Sequence, residues 1–135
     1  MIRHLAVVGA TGAVGREVCA LLTEGRVRAE RVTLLASRRS VGATIEVNDR
    51  KLPVEELTER SFDGVDFAIF SAGAERSRHF APAAKAAGTV VVDNSSAFRM
   101  DPDTPLVIPE INPQDARRHH GLIANPNCST IIMSV

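Results

Sequence analysis

The stretch Leu5-Ala6-Val7-Val8-Gly9-Ala10-Thr11-Gly12-Ala13-Val14-Gly15 decides the fold. Its first four residues are an unbroken apolar run, which suits a strand buried on both faces, as in a parallel sheet. Three glycines follow at a spacing of three. A helix-period segment comes next, with Val14, Val18, Leu21 and Leu22 on one face and a predicted stop near Gly25. A second strand is predicted from Arg31 to Ala36. Strand, glycine loop, helix and strand in this order form a βαβ unit.

The glycine spacing is G-x-x-G-x-x-G rather than the commoner G-x-G-x-x-G. The physics is shared: glycines let the backbone turn tightly and approach a pyrophosphate, which rests on the helix N-terminus. Between a strand and an amphipathic helix, Gly9 to Gly15 therefore reads as a dinucleotide loop. The end of the second strand selects the cofactor. An Asp or Glu there would bind a ribose 2′-hydroxyl; this chain instead has Ser37-Arg38-Arg39-Ser40 and no acid until Glu46. Guanidinium groups meet phosphate oxygens bidentately, so the turn suits a 2′-phosphate and NADP is the expected cofactor. Cys19, inside the first helix, reads as packing.

Further along, Thr44 to Val47 and Lys51 to Val54 read as an edge hairpin around Asn48-Asp49. Apolar strands are predicted at Asp66 to Phe70, Thr89 to Val92, Pro105 to Ile108 and Leu122 to Ala124. A helix from Glu75 to Ala87, with Phe80, Ala83, Ala84 and Ala87 inward, contains Pro82, which should kink it or mark its start. His79 and the adjacent His119 and His120 read as surface residues. Polar constellations follow the strands: Gly9 to Gly15, Ser37 to Ser40, Ser71-Ala72-Gly73, Asp93 to Arg99 and Asn125 to Ser129. In an open α/β sheet, that edge holds the ligand. The expected fold is α/β: a Rossmann-type, doubly wound, mostly parallel sheet with helices on both faces, residues 1–135 forming one NADP-binding domain.

Ala124-Asn125-Pro126-Asn127-Cys128-Ser129-Thr130 places Cys128 where a strand turns into a helix, with Asn127 or Cys128 as N-cap. The first N–H groups of a helix have no partners and its dipole is positive there, which favours a thiolate. The same N–H groups, helped by the Asn127 amide, would hold an oxyanion. A buried packing cysteine is the competing reading.

Composition excludes several classes. Sixteen basic residues balance sixteen acidic ones, so global charge points to neither nucleic acid nor a membrane surface. No apolar run approaches the roughly 20 residues that span a bilayer. Two cysteines make no disulfide framework and fit a reducing cytoplasm. No Cys/His spacing suits zinc, and no metal is expected.

Taken together, Gly9 to Gly15, Ser37 to Ser40, Asp93-Asn94-Ser95-Ser96-Ala97-Phe98-Arg99, Pro109-Glu110-Ile111-Asn112 and Asn125 to Thr130 resemble, in order, the N-terminal part of the aspartate-semialdehyde dehydrogenase family. The resemblance implies NADPH-dependent reductive dephosphorylation of aspartyl 4-phosphate to aspartate semialdehyde, serving lysine, methionine, threonine and isoleucine synthesis. It implies that Cys128 forms an acyl-thioester, that Asn127 orients the substrate and its oxyanion, and that Arg99 binds the substrate phosphate. Thr11, Gly12, Ala13 and Val14 would hold the pyrophosphate, Arg39 and Ser40 the 2′-phosphate, and Ser71, Ala72, Gly73 and Asn94 would line the cofactor site. A cytoplasmic homodimer or homotetramer acting on a small-molecule substrate, with no nucleic-acid or membrane partner, is implied for the whole enzyme. The family continues into a substrate and dimerisation domain carrying the general-base histidine, so a chain ending at Val135 is expected to have little turnover alone. Two alternatives stay open: N-acetyl-glutamyl-phosphate reductase, against which Pro126-Asn127-Cys128-Ser129 argues because that family's loop typically reads Pro-Gly-Cys, and a non-catalytic NADP-binding module.

Overall fold

The computed structural model describes residues 1–134, with the side chains of Cys128 and Ser134 outside the description. The elements run β1 (Ile2–Val8), α1 (Ala13–Thr23), β2 (Ala29–Ala36), a 3-10 turn (Arg38–Ser40), β3 (Thr44–Val47), β4 (Arg50–Glu56), β5 (Phe67–Phe70), α2 (Ala74–Ala86), β6 (Val90–Asp93), a second 3-10 segment (Pro113–Arg118), β7 (Leu122–Ala124) and α3 (Cys128–Ser134). The strands form one seven-stranded sheet in the order β3-β4-β2-β1-β5-β6-β7. Every pairing is parallel except the β3–β4 hairpin. Asn48 and Asp49 close that hairpin with φ of 53° and 62°, the left-handed backbone such residues tolerate.

β1 sits at the centre because its residues 5 to 8 are wholly buried. Leu5 and Val7 face one way, with Leu34, Val54 and the α1 residues Cys19 and Leu22. Ala6 and Val8 face the other way, with Leu35, Phe70, Val91 and the α2 residues Ala81 and Ala84. One helix therefore covers each face. The chain winds outward from β1 to β4 and β3, then returns to β5 on the other side of β1. The point where winding reverses lies between β1 and β5.

Several details differ from the sequence reading. The buried face of α1 is Gly15, Cys19 and Leu22 with Val18 beside them, while Val14 and Leu21 are exposed. The Gly15 contact rotates the helix toward its small-residue side. In α2, Ser77, Ala81 and Ala84 are buried and Ala87 lies beyond the helix, exposed. Pro82 does not start α2 but lies inside it, on the exposed face. Pro105 to Ile108 is not a strand. It makes a single parallel bridge, Leu106 to Ala124, because Pro105 and Pro109 lack the N–H groups a longer ladder needs. Ala124 donates to the Pro105 carbonyl and Val107 donates to the Ala124 carbonyl, both at 3.0 Å.

The helix α1 seats on the first loop through Gly15, where an added Cβ would run into the Gly9 carbonyl and the Ala10 backbone. Gly15→Ala is expected to lower unfolding stability by about 1–3 kcal/mol, as overpacking does. A urea melt followed by circular dichroism measures it; a loss near zero would mean that helix and loop do not pack this tightly.

Candidate functional site

Because β1, β2, β5, β6 and β7 run parallel, the segments after them share one sheet edge. The first loop is fixed from three directions. Gly9 and Ala10 donate to the Leu35 carbonyl at 2.8 and 3.2 Å, tying the loop to β2. Gly12 donates to the Gly9 carbonyl at 3.0 Å, closing the turn. Ser71, after β5, donates through both its N–H (2.9 Å) and its hydroxyl (3.1 Å) to the Val8 carbonyl. Gly9 has φ of 86°, and a Cβ there would lie 2.8 Å from the Ser71 carbonyl oxygen. Only glycine lets the two strand ends come this close.

The N-terminus of α1 is open. Its cap residue is Gly12, no side chain caps it, and no acid stands in its first turn. The first helical bond runs from Arg16 N–H to the Gly12 carbonyl at 3.0 Å, so the N–H groups of Ala13, Val14 and Gly15 have no intrahelical acceptor. Arg16 Nε–H donates to the Thr11 carbonyl at 3.2 Å and braces the loop. Thr11 Oγ1 and Ser40 Oγ lie 3.4 Å apart, bringing the Arg38–Ser40 turn beside it. A cleft of about 260 Å³ opens here, with Gly9, Thr11 and Gly12 from the first loop, Ala36 at the end of β2 and Ser37 just after it, and Ser71 and Ala72 after β5. The free N–H groups and neighbouring guanidinium groups fit a phosphorylated dinucleotide. Arg38 and Arg39 are exposed on the turn and do not line the cleft. Leu57 and Arg76 do line it, although the sequence reading missed both. Their signal was only positional: one follows β4, the other opens α2.

A second cluster joins the ends of β6 and β7. Arg99 Nε–H donates to the Asn125 carbonyl at 2.8 Å and Nη2–H to the Asn94 carbonyl at 3.4 Å. Asn125 Nδ2–H donates to Asn94 Oδ1 at 2.8 Å, and Asn125 N–H donates to the Asp93 carbonyl at 2.8 Å. Beneath them the fully buried Asp93 carboxylate accepts the Ser77 and Ser95 hydroxyls at 2.7 Å each and the Ser95 N–H at 3.2 Å. Asp93 thus ties α2 to the loop that carries Asn94 and Arg99. Asn125 and Ser95 stood in motifs named from sequence without a role of their own, and Ser77 was not singled out.

Asn127 caps α3. Its Oδ1 accepts the Ser129 N–H at 2.8 Å, and its carbonyl accepts the Ile131 N–H at 3.1 Å. The backbone of Cys128 therefore begins α3 on the same edge as the Gly9 loop, although its side chain lies outside the described residues. At Cys19, burial pushes the thiol upward, opposed in part by the Arg16 charge. Asn112, in the Pro109 to Asn112 motif, is engaged structurally. It accepts the Ile108 N–H and donates to the Leu106 carbonyl and Asp115. His79 is exposed and lies 3.5 Å from Glu59. His119 Nδ1 accepts the Gly121 N–H in a turn. Among the described residues no cluster could hold a metal, and no helix is long and apolar enough to cross a membrane.

Asp93→Ala removes the acceptor for two buried hydroxyls. It is expected to cost about 1–3 kcal/mol of stability for each donor left unsatisfied, read as a fall in the denaturation midpoint. A change within a few tenths would show that water replaces the carboxylate.

Comparison with known proteins gives a consistent result. The profile described as "Semialdehyde dehydrogenase, NAD binding domain" matches residues 4–119. The aspartate-semialdehyde dehydrogenase of Bacillus subtilis is 50% identical over 130 residues, covering 96% of this chain and 38% of its own length. A crystal structure of aspartate semialdehyde dehydrogenase II from Vibrio cholerae, complexed with ASA, superposes with a TM-score of 0.93 at 44% identity over 98% of this chain and 45% of that one. The Candida albicans enzyme, solved with NADP, superposes at 0.81 with 25% identity over 97% of this chain and 44% of its own. The chain spans about two-fifths of the curated relatives it matches, 38% in the Bacillus case. With that profile matched over residues 4–119, the chain belongs to the semialdehyde dehydrogenase NAD-binding domain family.

Proposed function

We propose that this chain is the nucleotide-binding and nucleophile-bearing part of an aspartate-semialdehyde dehydrogenase, which converts aspartyl 4-phosphate to aspartate semialdehyde and phosphate with NADPH. The observation that carries the reading is the shared edge: Cys128 opens α3 beside the Asn94–Arg99–Asn125 cluster, on the same side of the sheet as the open N-terminus of α1. The dinucleotide's phosphates suit the free N–H groups of Ala13, Val14 and Gly15, with Thr11 at the loop. Its 2′-phosphate suits Ser37, Arg38, Arg39 and Ser40, and Ser71, Ala72, Gly73 and Asn94 border its path. When bound, NADPH supplies the reducing equivalent for the thioester.

The chain's own residues account for the acyl transfer. The Cys128 sulfur, as thiolate at a helix N-terminus, forms a bond to the acyl carbon of the mixed anhydride. The bond from that carbon to the phosphate oxygen breaks, and phosphate leaves with the electron pair. Asn127 spends its Oδ1 on capping and keeps its Nδ2–H₂ for the developing oxyanion. A guanidinium has five N–H donors; Arg99 spends two on the Asn94 and Asn125 carbonyls, which aim the remaining donors at an anion. The base and remaining substrate contacts would come from sequence beyond these residues, in a cytoplasmic homodimer or homotetramer.

The full-length enzyme tests this by reduced-nicotinamide absorbance with aspartate semialdehyde and phosphate. Cys128→Ser is expected to abolish turnover while NADPH binding persists. Arg39→Ala is expected to weaken NADPH by about 1.5–3 kcal/mol, roughly ten- to a hundredfold, and to leave NADH unchanged. Iodoacetamide at neutral pH should label Cys128 well before Cys19. Turnover by Cys128→Ser, or labelling of both thiols at one slow rate, would overturn the assignment and favour a non-catalytic module. The 135-residue chain alone is expected to show little turnover.

A further inference from the structure

The dinucleotide cleft has a cation that the sequence reading did not assign. Arg76 stands in the first turns of α2, which starts at Ala74 after the strand-end residues Ser71 to Gly73. It lines the same cleft as Gly9, Thr11 and Ser37. The Arg76 side chain takes part in no ion pair among the described residues. Its neighbours Glu75 and Arg78 line the adjoining cleft instead, as Arg76 also does, so Arg76 lies on the divide between the two. Ser77, the next residue, is fixed in the core by its 2.7 Å bond to Asp93, and this anchors the helical turn that presents Arg76.

The remaining surface of the cleft says what Arg76 would meet. Beyond the polar first loop, its lining includes the small or apolar side chains of Ala36, Leu57 and Ala72. The 2′-phosphate cations Arg38 and Arg39 belong to the turn after Ser37, outside that lining. Thr11, Ser37 and Ser71 add hydroxyls to this lining but no charge, and uncharged walls with one planar guanidinium suit a flat heteroaromatic ring better than a second phosphate. We infer that Arg76 stacks its guanidinium on the adenine of the bound dinucleotide, with Leu57, Ala36 and Ala72 bordering the ring. This rests on the dinucleotide reading above and adds a specificity residue to it. Arg76 thereby recognises adenine whether or not the ribose carries a 2′-phosphate.

Titrating the protein with adenosine, 5′-AMP and 2′,5′-ADP, followed by amide NMR shifts, separates the cases. Arg76→Ala is expected to weaken all three ligands by the same factor, roughly tenfold, the scale of a desolvated cation–π or base-stacking contact. Arg39→Ala should weaken 2′,5′-ADP alone. Loss of 2′,5′-ADP affinity alone, or an unchanged affinity for adenosine beside weakened nucleotides, in Arg76→Ala would make Arg76 a phosphate ligand and overturn the stacking role. Unchanged binding of all three ligands would overturn any role for it. If the unaltered protein binds neither nucleotide at millimolar concentration, the dinucleotide reading fails and takes this inference with it. Arg76 is exposed, so its removal leaves the core intact, and an unchanged circular-dichroism melt verifies this.

Discussion

The close approach of the Gly9 turn to Ser71 is the contact on which the site depends. Two parallel strands, β1 and β5, end side by side, and Ser71 donates twice to the Val8 carbonyl at the last turn of the ladder. The winding of the sheet reverses between these strands, so the loops above them diverge to opposite faces and leave a crevice. A side chain at Gly9 would collide with the Ser71 carbonyl, and one at Gly15 would drive α1 off its loop. Both collisions would displace the free N–H groups at the tip of α1.

The second half of the site rests on a different kind of contact. Asp93 ends β6 and is wholly enclosed, and its three acceptor bonds hold α2 through Ser77 and the following loop through Ser95. A buried carboxylate without donors would be strongly destabilising. With them, it fixes the departure of the chain toward Asn94 and Arg99. Arg99 then crosses to the carbonyl of Asn125 and sews β6 to β7 just before Cys128. The start of α3 is thus registered to the Gly9 loop through a continuous series of strand pairings and polar bonds.

Much of this was legible beforehand because the signals are local. A run of buried aliphatic residues, a glycine triplet and a following amphipathic segment determine a βαβ unit through backbone sterics and burial alone. The Asn48-Asp49 turn and the Asn127 cap are equally local, since each depends on a side chain or backbone within two residues. The misreadings share another cause. Val14 and Leu21 were assigned inward from helical spacing, yet the contact between Gly15 and the loop turned the helix away from them. Pro105 to Ile108 has strand composition, but flanking prolines withhold the donors that would extend its one bridge to Ala124.

Sequence by itself determined the fold class, the order of most elements and which strand ends carry polar residues, because periodicity, glycine and proline act over a few neighbouring residues. Tertiary structure alone decided which of those ends meet. Leu57 and Arg76 reached the cleft, Arg38 and Arg39 stayed on the turn outside it, and Asp93 with Ser77 emerged as the anchor beneath Arg99. These are encounters between residues far apart in the chain, set by sheet order and helix packing, and no local pattern encodes them.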